Sequence, residues 1–254
     1  MIPRTVLEVD GHEVLRAVAR AAGPPAAPGC GAAAGALREH WPPARLLAGD
    51  LAEELCGRGF SPVRIAGLST LPGHHRGTVV RAVGELLGTF TVDACAIAGQ
   101  QDYGAPGRAG PHTDGVCCVL PGRLLGLTCY RAAEGGEELV LVDVHDLVPA
   151  LEAADPVALA VLRRPVPFFD GRVLCREPVF RAAGHGPLIR YRPDLIMAGL
   201  ARTRPAEAGR VRDALDGLNR RLRPRGPAVR VRPGRDEVVF MDNHRMLHAR
   251  AARP

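Results

Sequence analysis

Two histidines and one aspartate carry the chemistry that this sequence offers most plainly. His112 and Asp114 lie in Gly110-Pro111-His112-Thr113-Asp114-Gly115. In an extended segment residues two apart project to one face, so an imidazole nitrogen and a carboxylate oxygen from this pair can aim at one point. His248 follows much later. The run Val238-Val239-Phe240-Met241 gives way to Asp242-Asn243, a turn-prone pair, and a second short strand carries His248. Two histidines and a carboxylate make a facial triad, which leaves three cis positions of an octahedral iron open. Oxygen chemistry needs such positions, since dioxygen and a co-substrate must bind together. A structural zinc site would be closed by four protein ligands. Taken alone the pair is weak: with 9 histidines and 27 acidic residues in 254, chance supplies about one His-x-Asp/Glu. Each histidine by itself is equally well read as an ordinary hydrogen-bonded side chain, and Asp242-Asn243 as a turn.

The elements that must position these groups follow from pattern. Residues 11–22 read as a helix with Val14, Leu15 and Val18 on one face. Residues 23–36, rich in Pro, Gly and Ala, read as a loop. A second helix is expected over 44–57, a short strand over Gly59–Gly67, and a third helix over 76–88, where Val79, Val80, Val83, Leu86 and Leu87 recur at helical spacing. From residue 89 the texture changes to short apolar runs separated by Gly and Pro: 89–99, 115–120, 124–131, 138–144, 166–168, 173–175, 188–192, 228–232 and 237–241. Many short strands at such spacing suggest a sandwich or barrel. One helix interrupts them at 206–222, with Val211, Leu215, Leu218 and Leu222 on one stripe. The expected fold is mainly β: a single domain over 1–254, with a helical layer and first strand in 1–88, a β core in 89–254 and one helical insertion.

Composition narrows the function classes. The chain is 46% hydrophobic and 24% charged, ordinary for a globular protein. No apolar run is long enough to cross a bilayer, and the first residues lack the apolar stretch of a secretory signal. A cytoplasmic location is the expectation. All 33 basic residues are arginine; with so much Ala, Gly and Pro this reads as base bias of the gene. Ten aromatics are too few for the stacking that accompanies basic patches in nucleic-acid proteins, so no nucleic-acid partner is expected. The seven cysteines form no CxxC pair and are odd in number, which argues against a disulfide framework or zinc ribbon and for reduced, mostly buried thiols. His74, His75, His145, His185 and His244 are read as surface or structural histidines.

Asp242-Asn243-His244-Arg245-Met246-Leu247-His248-Ala249-Arg250 resembles the distal-histidine motif of the TauD and clavaminate-synthase-like dioxygenases. His112-Thr113-Asp114 is similar to their proximal motif. Gly59 to Gly67 resembles their first strand, Glu134-Gly135-Gly136-Glu137 their Gly-Gly-Glu/Asp turn, and Pro233-Gly234-Arg235-Asp236 the turn before the last metal strand. The resemblance runs in order from about residue 59 to 250. It implies a double-stranded β-helix (jelly roll), an iron(II) centre held by His112, Asp114 and His248, and 2-oxoglutarate and O2 as co-substrates. The implied reaction couples oxidative decarboxylation of 2-oxoglutarate to attack on an unactivated C–H bond of a small polar metabolite, such as an amino acid. The carboxylate of Asp114 separates the chain from the halogenating branch, in which a small residue stands there.

Two positions depart from the pattern. The family carries an arginine about a dozen residues after the distal histidine, to grip the far carboxylate of 2-oxoglutarate as a bidentate fork; after His248 this sequence has only Arg250 and Arg253. Where the family has a threonine after the Gly-Gly-Glu/Asp turn, this sequence has Glu138. Arg250 and Arg123 are the candidates for the co-substrate carboxylate, with Arg190 or Arg192 as substitutes. Leu188-Ile189-Arg190-Tyr191-Arg192 resembles a substrate-contacting strand, placing Arg190 and Arg192 on one face, and Gln101 lies in a candidate lid, Gln100 to Gly104. An iron oxidase that does not use 2-oxoglutarate, and a non-catalytic binding protein that retained the fold, are the alternatives.

Overall fold

The computed structural model describes residues 7–21, 32–87, 110–118, 121–129, 138–184, 186–222 and 228–250. The chain forms two compact units. One comprises Met1–Gln101, Gly122–Glu137 and Arg232–Asp242; the other comprises Asp102–Pro121, Glu138–Val231 and Asn243–Pro254.

The first unit is built on a four-stranded sheet. β1 (Leu7–Asp10) runs parallel to β2 (Phe60–Ala66). β10 (Glu237–Asp242) is antiparallel to β2 on one side and to β3 (Leu124–Cys129) on the other. Helices α1 (Gly11–Ala21), α2 (Ala32–His40), α3 (Ala44–Arg58) and α4 (Gly73–Glu85) belong to it. Asp10 starts α1: its Oδ1 accepts the main-chain N–H groups of His12 and Glu13 at 2.8 and 3.0 Å, satisfying donors that a helix N-terminus leaves open. Val14, Leu37, Leu51, Ile65, Val79, Val83 and Phe240 form part of its core.

The second unit holds a three-stranded antiparallel sheet in the order β11 (Met246–Arg250), β4 (Leu139–Asp143), β9 (Val229–Val231). Two hairpins accompany it: β5 (Pro165–Phe169) with β6 (Leu174–Pro178), and β7 (Phe180–Ala183) with β8 (Gly186–Ile189). Four helices fill the interval between β4 and β9: α5 (Val144–Ala154), α6 (Pro156–Leu162), α7 (Pro193–Thr203) and α8 (Ala208–Arg221).

Several expectations are corrected here. The architecture is mixed rather than mainly β, with helix over 48% of the described residues. In place of one helical insertion there are four helices, of which only α8 matches the expected 206–222. Part of the expected loop at 23–36 is the start of α2. The strand expected over 115–120 is a turn in its described part: Gly115 takes φ 67° and its carbonyl accepts the Cys118 N–H at 2.9 Å. The thiols are less buried than expected. Cys118, like Cys56, is exposed, and Cys117 and Cys175 are half-buried, all four as free thiols. The expected strand 89–99 lies outside the described residues. No helix among the described residues is long and apolar enough to cross a membrane.

Candidate metal centre

His112 and His248 meet as a directly opposed, hydrogen-bonded antiparallel pair. Each donates its main-chain N–H to the other's carbonyl, at 3.0 and 2.9 Å. Residues opposed in this way project to the same face of the sheet, and the two imidazoles lie with ring centroids 4.5 Å apart. On the neighbouring residue the segment is fixed again: Thr113 donates its N–H to the Tyr191 carbonyl at 2.8 Å, and Tyr191 returns its own N–H to Thr113 Oγ1 at 2.9 Å. Tyr191 is fully buried and its hydroxyl donates to Asn219 Oδ1 of α8 at 2.6 Å. Two residues on from His112, the period of an extended chain returns Asp114 to the imidazole face.

The result is a cluster in which one donor atom from each of His112, Asp114 and His248 lies within 4.8 Å of the others. Asp114 Oδ1 is 3.7 Å from His112 Nε2, and Oδ2 is 3.8 Å from His248 Nε2. These separations are too long for hydrogen bonds: the three groups face one another without a proton shared between them. His112 Nδ1 lies 3.0 Å from the Gly110 carbonyl, an acceptor only, so Nδ1 carries the proton and Nε2 presents its lone pair. Nδ1 of His248 is buried with no hydrogen-bond partner among the described residues.

Electrostatics favour the same state. Burial lowers the pKa of His112, against the Gly110 carbonyl and the Asp114 charge, which raise it. Burial holds His248 well below the ordinary histidine range, helped by His112 and by the Arg192 guanidinium. Both rings are therefore uncharged at neutral pH, as a metal ligand must be. Two neutral imidazole nitrogens and one carboxylate suit a divalent iron or similar cation, and three donors rather than four leave coordination positions over. The donor set fits the iron that the sequence motif implies.

The remaining predicted residues distribute as follows. Arg250 lies two residues beyond His248 on β11 and so shares its strand face; it is exposed at the strand end. Arg192 forks onto Asp194, Nε to Oδ1 at 3.0 Å and a terminal nitrogen to Oδ2 at 2.8 Å; burial pushes the Asp194 carboxyl up, and the Arg192 fork together with main-chain N–H groups brings it below its usual range. Arg190 lines a cavity that Asp114 also lines. Arg123 belongs to the first unit, where its Nε donates to Asp242 Oδ2 at 3.0 Å. Gln101 and His185 lie outside the described residues. Glu138, the departure from the family's threonine, is paired with Arg230 across β4 and β9, so its charge is compensated. His145 packs its ring against Gly186, and His244 reaches the Pro121 carbonyl at 2.9 Å, in keeping with structural roles.

One residue of the site is not evident from the sequence. Asn243, read there as a turn former, accepts the Asp114 N–H on Oδ1 at 2.9 Å and donates Nδ2 to the Asp114 carbonyl at 3.1 Å. Its place immediately after β10, in a motif whose other polar members draw attention, was the only signal.

Residues 58–254 match the family described as taurine catabolism dioxygenase TauD, TfdA family. The chain belongs to that family of non-haem iron(II)/2-oxoglutarate-dependent dioxygenases, whose fold is the double-stranded β-helix. Its fold is similar to that of an asparagine oxygenase solved with Fe(II), 2S,3S-3-hydroxyasparagine and succinate, at 19% identity and a TM-score of 0.67, over 99% of this chain and 89% of that one. It is also similar to the non-heme iron oxygenase OrfP solved with Fe and alpha-ketoglutaric acid (18% identity, TM-score 0.64, 98% and 89%). A further OrfP structure contains Fe, succinate and (3R,4R)-dihydroxy-L-Arg (16%, 0.63, 98% and 88%). No curated protein matches the chain.

Proposed function

We propose that the protein hydroxylates an unactivated C–H bond of a free amino acid or a close derivative, with iron(II) held by His112, Asp114 and His248. The observation that carries this reading is the convergence of three donor atoms within 4.8 Å of one another, two of them from a directly opposed strand pair. When bound, the iron with 2-oxoglutarate and O2 supplies the oxidising power for C–H cleavage. The protein's own part is to orient and enclose. The main-chain pairing of His112 with His248 fixes both rings, Asn243 fixes the backbone of Asp114, and burial keeps the imidazoles unprotonated. Arg250, on the strand face of His248, is the candidate for the far carboxylate of 2-oxoglutarate. Arg190 and Arg192 are assigned to the substrate. The amino-acid class is supported by the similar structures, which contain hydroxylated asparagine and hydroxylated arginine.

Anaerobic addition of 2-oxoglutarate to the iron(II)-loaded protein tests the reading. The expected result is a weak visible charge-transfer band that disappears in the His248→Ala variant. Iron binding without the band, or oxygen uptake with substrate but independent of 2-oxoglutarate, would instead assign the protein to the oxidases.

A further inference from the structure

A cavity of about 120 Å³ shares Asp114 with the candidate metal centre and is bordered also by Asn243, His244, Glu177, Arg181 and Arg190 among others. Its charges are uneven. Asp114 faces the two imidazoles and serves the metal. The rest of the wall brings two guanidinium groups and one carboxylate, a surplus of one positive charge.

Arg190 is the deeper of the two guanidiniums. Its side chain is 14% exposed, against 58% for Arg181. One terminal nitrogen of Arg190 donates to the carbonyls of Val116 and Cys118, at 3.2 and 3.4 Å, and lies 3.8 Å from Glu177 Oε1. Those contacts pin the fork in place. Its Nε and its second terminal nitrogen meet no described protein acceptor, although a guanidinium offers five donors. Glu177 leans the other way: its Oε2 takes a 2.7 Å hydrogen bond from Arg181, at the exposed edge. The carboxylate of Glu177 thus lies nearer the shallow arginine, at 2.7 Å, than the deep one, at 3.8 Å.

We infer that this cavity receives a carboxylate of the substrate on Arg190, that Glu177 weakens that binding by its nearby negative charge, and that the preferred substrates are net-negative amino acids rather than cationic ones. The inference rests on the assignment of the triad as the iron site, because Asp114 belongs both to that site and to the cavity wall. A fixed, partly desolvated guanidinium with a vacant edge matches a carboxylate in shape as well as charge. A guanidino or amino side chain would enter a cavity of its own sign beside a divalent cation, which is a strong term in a partly enclosed site. The far carboxylate of 2-oxoglutarate has the same chemistry, so the experiment separates the two sources.

Equilibrium dialysis of the manganese-loaded protein against L-aspartate, L-asparagine and L-arginine reads binding without turnover. L-aspartate is expected to bind most tightly and L-arginine least. Arg190→Lys keeps the charge and loses the fork, and should weaken L-aspartate binding about tenfold. Glu177→Gln keeps the shape and removes the opposing charge, and should tighten it several-fold; this variant keeps the inference testable if the arginine variant does not fold. Tighter binding of L-arginine than of L-aspartate overturns the inference, as does an unchanged or weakened affinity in Glu177→Gln. Loss of 2-oxoglutarate binding alone in Arg190→Lys also overturns it, by giving the fork to the co-substrate. If wild-type protein shows no 2-oxoglutarate band, the functional reading fails instead, and the dialysis order still reports on the cavity.

Discussion

Asn243 brackets the main chain of Asp114 with two hydrogen bonds, one to its N–H and one from its side-chain amide to the carbonyl. The residues are 129 positions apart in sequence. The pairing continues a series along this segment: His112 is held by His248 and Thr113 by Tyr191, and Asn243 holds Asp114 just before the turn at Gly115. Asn243 is itself buried. Asn243→Ala should remove two part-buried hydrogen bonds, costing about 1–3 kcal/mol of stability. The freed carboxylate should bind metal some ten- to hundredfold more weakly. Competition with a coloured chelator measures the second effect. An unchanged affinity would mean that Asp114 is held by other contacts.

Arg245 and Asp143 form a second long-range brace, with Nε of the arginine 3.0 Å from both carboxylate oxygens and the pair largely buried. Asp143 also accepts the His145 N–H at 2.9 Å, capping α5. It therefore ties the last residue of β4 to the chain entering β11, one turn before His248. Asp143→Ala should cost about 3–5 kcal/mol, because it breaks a largely buried ion pair, with about 1 kcal/mol more from the lost cap. A double-mutant cycle with Arg245→Met isolates the pair. The double variant is expected to be more stable than Asp143→Ala alone; simple additivity of the two losses would argue against a coupled pair.

The buried histidines set the direction of the pH dependence. His112 and His248 both have folded-state pKa values lowered from 6.5, chiefly by burial. Below 6.5 the unfolded chain takes up protons that the folded chain resists, so unfolding becomes easier as pH falls. The metal-free protein should hold its full stability above about pH 7 and lose it progressively as pH drops below 6.5. Urea midpoints at several pH values, measured in a chelating buffer, give the slope. His248→Gln should flatten it. A slope that survives unchanged in His248→Gln would place the acid sensitivity elsewhere.

The triad was legible because its members carry distinctive chemistry at meaningful spacing: His112 and Asp114 two apart, and His248 in a polar motif closing a strand. What joins them was not. No local pattern says that Asn243 reaches Asp114, that Arg190 rests on the Val116 and Cys118 carbonyls, or that Arg230 compensates Glu138, since each partner is set by tertiary pairing. The helices were missed for a different reason. Val144, Leu147, Val148 and Leu151 recur at i, i+3, i+4 and i+7, a helical signal, and all four are buried in α5. The signal was masked by the apolar run 138–144 read as one strand and by Pro149 within the helix. In α7, Pro193 at the first position favours a helix start, but the preceding Leu188–Arg192 drew the eye as a strand. Only its first two residues lie in β8.

Helix α7 supplies a last test, because its packing depends on one missing side chain. A Cβ at Gly199 would sit 2.4 Å from the Pro167 carbonyl oxygen and 2.6 Å from its carbon. These are main-chain atoms of β5 and cannot swing aside. In an open helix position Gly→Ala gains about 1 kcal/mol; here overpacking should reverse the sign, with a net loss of about 1–3 kcal/mol. Gly209 in α8 is the matched control, since nothing lies within 4 Å of its Cβ position, and Gly209→Ala should stabilise by about 0.5–1 kcal/mol. Urea unfolding of the two variants should therefore shift in opposite directions, with metal affinity unchanged in the second. If both stabilise, α7 is not packed on β5 as closely as described, and the wall of the second unit that carries Phe168 would need to be redrawn.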